Sequence, residues 1–277
     1  MDSSYTGLPM KIATYLALSV TVFMSLFPFY FMFISSTHTT GEILSLPPNL
    51  LPGANLSKNL AHLNEEFSMA RVFFNSMFVS VVYTILSLLL DSMAGYALAK
   101  YRFKGRDALF SIILVTLMIP TQVLLVPLFS MMNRIGWANT YQAVILPSLA
   151  NAFGIFLMRQ NMISFPDSLI EAARIDGYGE FSIFFKIVLP IMRPALGALG
   201  IYMFMAQWNN FMWPLIILST KDMYNFPVAL ATLNGLQRID YGAIMTGSTI
   251  ATIPIMAMFL IFQEQFISGI MEGSIKQ

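Results

Sequence analysis

Six polar side chains interrupt stretches that are otherwise apolar: Asp91, Gln122, Asn151, Gln207, Asn209 and Asn210. At membrane depth an unpaired amide or carboxylate is costly, so such groups turn to a partner or to a watery cavity, which makes them candidates for lining a solute route. The segment QWNNFMW adds Trp208, Phe211 and Trp213 to Gln207, Asn209 and Asn210. Amides read hydroxyl groups and aromatic faces stack on C–H-rich rings, so this set has the chemistry to hold a sugar. The same residue types also build interfacial belts and interhelical hydrogen bonds. Asp91 is a single carboxylate with no matched base, which reads as a structural partner or gate element and not as a proton relay. Other chemistry is excluded. The chain has no Cys, so it has no disulfide frame, thiolate metal site or cysteine nucleophile, and its two histidines, His38 and His62, are too far apart to suggest a metal cluster. No GxxxxGK[ST] phosphate loop occurs, so the chain is not expected to bind or cleave ATP by itself.

These side chains need elements to hold them, and composition says which. The 277 residues are 57% hydrophobic and only 10% charged, with mean hydropathy +0.69, which excludes an ordinary soluble globule. A net charge of +1 supplies no field for nucleic acid. Crossing a ~30 Å hydrocarbon core by a helix takes roughly 20 residues. Stretches near Ile12 to Ser35, Val72 to Ala99, Leu109 to Met131, Tyr141 to Met158, Ala195 to Leu218 and Ala243 to Phe262 qualify. Segments such as YTILSLLL are apolar on every side, unlike the alternation of a barrel strand. The first stretch lacks a small-residue cleavage site and reads as an anchor, not a secretory signal. Positive charge sets the orientation. Lys11, Lys100, Arg102, Lys104, Arg106, Arg159, Arg174, Lys186, Arg193 and Lys276 share one side, and Lys58, Arg71, Arg134, Lys221 and Arg238 the other. The richer side should be cytoplasmic, with both termini inside. The first external loop, about Ser36 to Arg71, carries Pro47, Pro48, Pro52 and Gly53 and has space for an extended crossing over the outer face.

The most informative connector is Arg159 to Pro194. Pro166 ends what precedes it, Ser168 followed by Glu171 reads as a capping box, and Gly177 supplies a stop, which predicts a short helix over Leu169 to Asp176. A second apolar segment, Phe181 to Val188, leads to Pro190, and Pro194 suits the first turn of the fifth span. The expectation is a helical hairpin outside the bilayer. It would expose Ala172 and Ala173, small enough for another surface to approach, beside Glu171, Arg174 and Asp176 for directional contacts. Glu171 could also do no more than complete the cap, and Gly177 no more than end the helix.

Glu171-Ala172-Ala173, then Gly177, then Ile187 and Leu189-Pro190 at their spacing resemble the EAA loop of binding-protein-dependent ABC importer permeases. The segments FNSMFVSVVYTILSLLLDSMAGYALAKYRFKGRDALF, LMIPTQVLLVPLF, NTYQAVILPSLANAFGIFLMRQ and QWNNFMWPLIIL, with the closing GSIKQ, resemble the carbohydrate-uptake branch, particularly its maltose-type second permease subunit. Two departures are His38, where Lys is frequent, and Asn210, where Asp is common. The resemblance implies an all-α membrane protein of the type I importer class, with six transmembrane helices in one transmembrane domain over residues 1–277. The cytoplasmic coupling loop would be 159–194. It implies a multi-pass protein of the bacterial inner membrane that pairs with a homologous permease, sits on two ATP-binding subunits that carry ATP and Mg, and takes a carbohydrate, an oligosaccharide or related glycoside, from an external solute-binding protein. Glu171, Ala172, Ala173 and Gly177, with Arg174 and Asp176, would couple it to the ATPase; the chain would be no enzyme alone. Other readings are an importer permease for a glycerol phosphate or amino acid, a stand-alone secondary transporter, or a membrane scaffold.

Overall fold

The computed structural model describes residues 8–234 and 239–272, so Arg238, Lys276 and the GSIKQ tail lie outside the described residues. Among the described residues every regular element is helical. Three helices are long and apolar enough to span a membrane, or up to six if each of three bent pairs is one span. The described residues form two compact units, one drawn from 8–68, 230–234 and 239–253, the other from 69–229 and 254–272.

In the first unit, α1 (Leu8–Ser35) is apolar all round and exposed along nearly its whole length, as a helix facing lipid or another subunit must be. The loop after it is not extended throughout. Thr39 and Glu42 form a capping box on a single turn, and α2 (Leu56–Glu66) turns Asn59 and Leu63 inward. The Asn59 amide donates to the carbonyls of Ser36 and His38, at 2.8 and 2.9 Å, which ties α2 to the end of α1. Asp240 accepts from His62, Thr40 and the Ala243 N–H. Burial pushes the Asp240 carboxyl up, but the Ala243 amide, His62 and Thr40 outweigh it and leave the group below its ordinary value. A depressed carboxyl contributes stability above its unfolded pKa, and that contribution is lost as pH falls through its lower folded value. Wild type should therefore lose stability in thermal unfolding as pH falls below about 4, the unfolded carboxyl's value, and go on losing it until the folded group is protonated. In Asp240→Asn that loss should be smaller; equal acid sensitivity in both would remove Asp240 from the account.

The second unit is built on α3 (Met69–Lys100), about 48 Å of helix at ~1.5 Å per residue. Its buried side mixes Val72, Val79, Tyr83, Tyr96 and Leu98 with the small or polar Asn75, Ser76, Ser80, Ser87, Asp91, Ser92 and Gly95, whereas Phe74, Ile85 and Leu90 face outward. That arrangement suits a helix whose outside solvent is lipid, because small residues permit close approach and polar ones find partners inside. At Gly95 an added Cβ would lie 2.8 Å from Arg159 N and Met158 Cβ, so α3 meets the fourth span backbone to backbone.

The sequence expectations for spans three to five are corrected to bent pairs. The third divides into α4 (Arg106–Thr116) and a stretch over Thr121–Arg134, bent by 90°, because Pro120 has no N–H to continue the ladder and restricts Ile119. That stretch ends in α5 (Leu125–Arg134). The fourth bends by 44° between Tyr141–Ser148 and α6 (Ala152–Ile163), where Asn151 caps α6. The 159–194 connector contains α7 (Asp167–Ile175), and the fifth pair bends by 83° between Glu180–Ile191 and Arg193–Ile217, whose first part is α8 (Arg193–Trp208). Pro194 lies in the first turn of α8, as expected. The last helix, α9 (Tyr241–Glu272), contains Pro254.

Candidate functional site

Two features of the hairpin correct the sequence reading. The Ser168–Glu171 capping box does not form. Pro166 is the N-cap, with no side-chain cap bond, and Asp167 is the first helical residue, so Glu171 falls two positions beyond the N3 place a box requires. Its carboxylate is exposed and unspent. Ala173 is not exposed either: at 4% accessibility it faces inward with Ile170, and both belong to the core cluster that also holds Met162, Phe165, Ile183 and Phe184. The outer face of α7 instead presents Glu171, Ala172 and Ile175, the last 87% exposed.

The end of α7 is sharp. Gly177 takes φ +82°, its N–H donates to the Arg174 carbonyl, and the Tyr178 N–H donates to that of Ala173. This is a Schellman closure, and glycine meets its left-handed requirement without Cβ strain. Asp176 is the exposed C-cap.

Side-chain ties hold both ends. Lys100 Nζ donates to Asp167 Oδ1 at 2.7 Å and to the Phe165 carbonyl at 2.6 Å, and the ammonium beside Asp167 holds that carboxyl below its ordinary range. Arg174 donates twice to Glu180, at 2.7 and 3.2 Å, and the Tyr101 hydroxyl donates to the same carboxylate. Arg174 and then Tyr101 lower the Glu180 carboxyl, while burial and Glu180 raise the Tyr101 hydroxyl. Arg174 is thus committed within its own chain. The second arm runs Glu180–Ile183, a π-helical turn over Phe184–Val188, then Leu189–Ile191, with the irregularity next to Pro190.

The polar residues of the spans separate into sets. Asp91, fully buried, accepts from the Asn151 N–H at 3.0 Å, and Asn151 Oδ1 accepts from the Phe153 and Gly154 amides, so the pair satisfies the opening of α6. Gln207, Asn209 and Asn210 gather where α8 ends. Gln207 is buried and its Oε1 accepts from Asn210, while Asn209 is exposed and donates to the Met205 carbonyl. Trp208 offers no open face: it is 2% exposed, stacked on Phe204 and flanked by Phe73 and Phe226. Trp213 is likewise buried and donates to the Ala143 carbonyl. Gln122 is exposed in the 3-10 turn at the bend of the third span and belongs to neither set. Sequence reasoning missed Ile175, Lys100, Tyr101 and Glu180. Of these only Lys100 carries a signal in the sequence, its position at the end of a span.

In the second unit, broken apolar helices pack on the polar-faced α3 and carry a tethered hairpin, the architecture of a helical membrane permease. Residues 91–270 match the family described as binding-protein-dependent transport system inner membrane component, and the chain belongs to that family of transport permeases. It is 39% identical over 257 residues to the arabinooligosaccharides transport system permease protein AraQ of Halalkalibacterium halodurans, covering 92% of each chain. It is 38% identical over 265 residues to the lactose transport system permease protein LacG of Rhizobium radiobacter, covering 96% of each. The sn-glycerol-3-phosphate transport system permease protein UgpE of Yersinia enterocolitica is 28% identical over 272 residues, covering 95% of this chain and 97% of that one. Among solved structures, a bacterial ABC transporter involved in the import of the acidic polysaccharide alginate superposes with TM-score 0.82 at 21% identity, over 96% of this chain and 99% of that one. The fold is that of a type I ABC importer permease.

Proposed function

We propose that this chain is the transmembrane permease subunit of an ATP-driven, binding-protein-dependent importer of a sugar, an oligosaccharide or related glycoside. ATP and Mg are bound and turned over on two partner subunits. A homologous permease completes the pathway, and an external solute-binding protein delivers the cargo. The hairpin side and both termini face the cytoplasm. The single observation carrying this is α7: a sharply ended helix, held at both ends, whose outer face offers Glu171, Ala172 and Ile175 to another protein. Identities of 39% and 38% to arabinooligosaccharide and lactose permeases, against 28% to a glycerol-phosphate permease, favour sugar over phosphate ester.

Glu171→Gln tests the docking role, because the capping box is absent and neither side chain closes a cap. The complex should still assemble in the membrane, while transport-coupled ATP hydrolysis falls about tenfold, as for a lost charge-assisted contact worth ~1.5 kcal/mol. Full sugar-stimulated turnover in that variant would reduce Glu171 to a bystander. Stimulation of wild type by phosphate esters, and by no sugar in a panel, would move the cargo to the second class.

A further inference from the structure

The two residues where α3 ends reach both ends of α7. Lys100, the last residue of α3, has a side chain only 7% exposed. Its three donors go to the Asp167 carboxylate, the Phe165 carbonyl and, at 3.4 Å, the carbonyl of Ile163, the last residue of α6. An ammonium has three donors, so all are used, and they join the end of the fourth span, the connector and the start of α7. Tyr101 binds Glu180, which holds Arg174 in the last turn of α7. Nine residues earlier, roughly 14 Å along the helix, Asp91 grips the opening of α6 through the Asn151 N–H. The second span, the lower half of the fourth and α7 are therefore joined at three points.

We propose that Lys100 and Tyr101 are positioning residues that make α7 a lever and not a loose flap: they turn displacement of α7 by the motor into joint movement of the second and fourth spans. This rests on the motor-docking reading of the hairpin. Neither side chain need touch the motor. Without their bonds the outer face of α7 is still presented by the Arg174–Glu180 pair, the Gly177 closure and the burial of Ile170 and Ala173, so their removal should separate nucleotide turnover from movement of the spans.

The chain has no native Cys, so one introduced thiol reports cleanly. Leu146, 40% exposed and on the far side of the fourth-span break from α6, is a suitable position. In a Leu146→Cys background, the intact complex in lipid nanodiscs is labelled with a water-soluble maleimide, without nucleotide and with MgATP and vanadate. With Lys100 and Tyr101 in place the labelling rate should change by about fivefold or more, the lower range of an allosteric coupling. Lys100→Met with Tyr101→Phe should retain the ATP-binding subunits and their hydrolysis, yet lose most of that change, while Lys100→Arg, which keeps the donors, should preserve it. A full nucleotide-dependent change in the double variant, or release of the motor from it, overturns the proposal. If the double variant does not fold, Tyr101→Phe alone removes one hydroxyl: a reduced change supports the lever and an unaltered one overturns it. A background with both residues intact that neither retains a motor nor responds to nucleotide contradicts the importer reading instead.

Discussion

Gly154→Val is expected to cost the permease roughly 2–6 kcal/mol of folding stability, read as a lowered thermal midpoint in detergent. A Cβ at this position would lie 2.2 Å from Asp91 Oδ2 and 2.8 Å from Met203 Cε, on a carboxylate that is fully buried and already bonded to the Asn151 N–H. The carboxylate cannot swing away without leaving that amide unpaired, so the clash and a lost hydrogen bond arrive together. Overpacking costs about 1–3 kcal/mol and an orphaned buried polar group about as much again, against a total stability of roughly 5–15 kcal/mol. A cycle with the smaller Gly154→Ala and with Asp91→Ala isolates the contact. The two changes together should cost less than their sum by about 1 kcal/mol in detergent thermal unfolding. Additive losses would mean the carboxylate is not what glycine accommodates.

Ile175→Asp should release the ATP-binding subunits while the permease folds normally. Ile175 is 87% exposed, so the substitution disturbs no internal packing, whereas Ile170 and Ala173 on the opposite face hold the hairpin to its own core. An apolar anchor seated in a pocket is worth about 2 kcal/mol or more, roughly a 30-fold loss of affinity when a charge replaces it. Gel filtration in detergent reads the loss as a permease peak without its motor. Thermal unfolding of that peak should match wild type within about 0.5 kcal/mol, as for a surface substitution.

Where the helices lie was legible because a membrane leaves few choices: about twenty apolar residues cross as a helix. Where they break was less so. Prolines 28, 120, 127, 214 and 254 all mark possible bends, yet the 90° turn falls beside Pro120 whereas Pro28 and Pro254 sit inside continuous helices. A proline states that one hydrogen bond is lost; packing decides whether the chain turns there. Gly177 was read correctly because a left-handed stop needs little but its own backbone. Ser168–Glu171 fits the capping pattern yet makes no cap, because the helix starts at Asp167, two residues before the Leu169 that the pattern implies, where Lys100, remote in sequence, holds the Asp167 carboxylate. Trp208 and Trp213 looked like sugar platforms, and burial against Phe204, Phe226 and the Ala143 carbonyl closes their faces. In each case a tertiary contact overrode a sound local signal.

The central claim is that the outer face of α7 meets an ATP-hydrolysing partner. Because the chain has no Cys, Ala172→Cys places a single thiol of this chain on that face, and a reagent with a maleimide at one end and a photoreactive group at the other, which inserts into C–H bonds of any neighbour, reads what lies against it in the purified complex. The expected result is a covalent adduct between this chain and the ATP-binding subunit whose yield changes when MgATP is added. An intact, sugar-stimulated complex in which that thiol reacts freely with solvent reagents and joins no ATP-binding subunit would contradict the account.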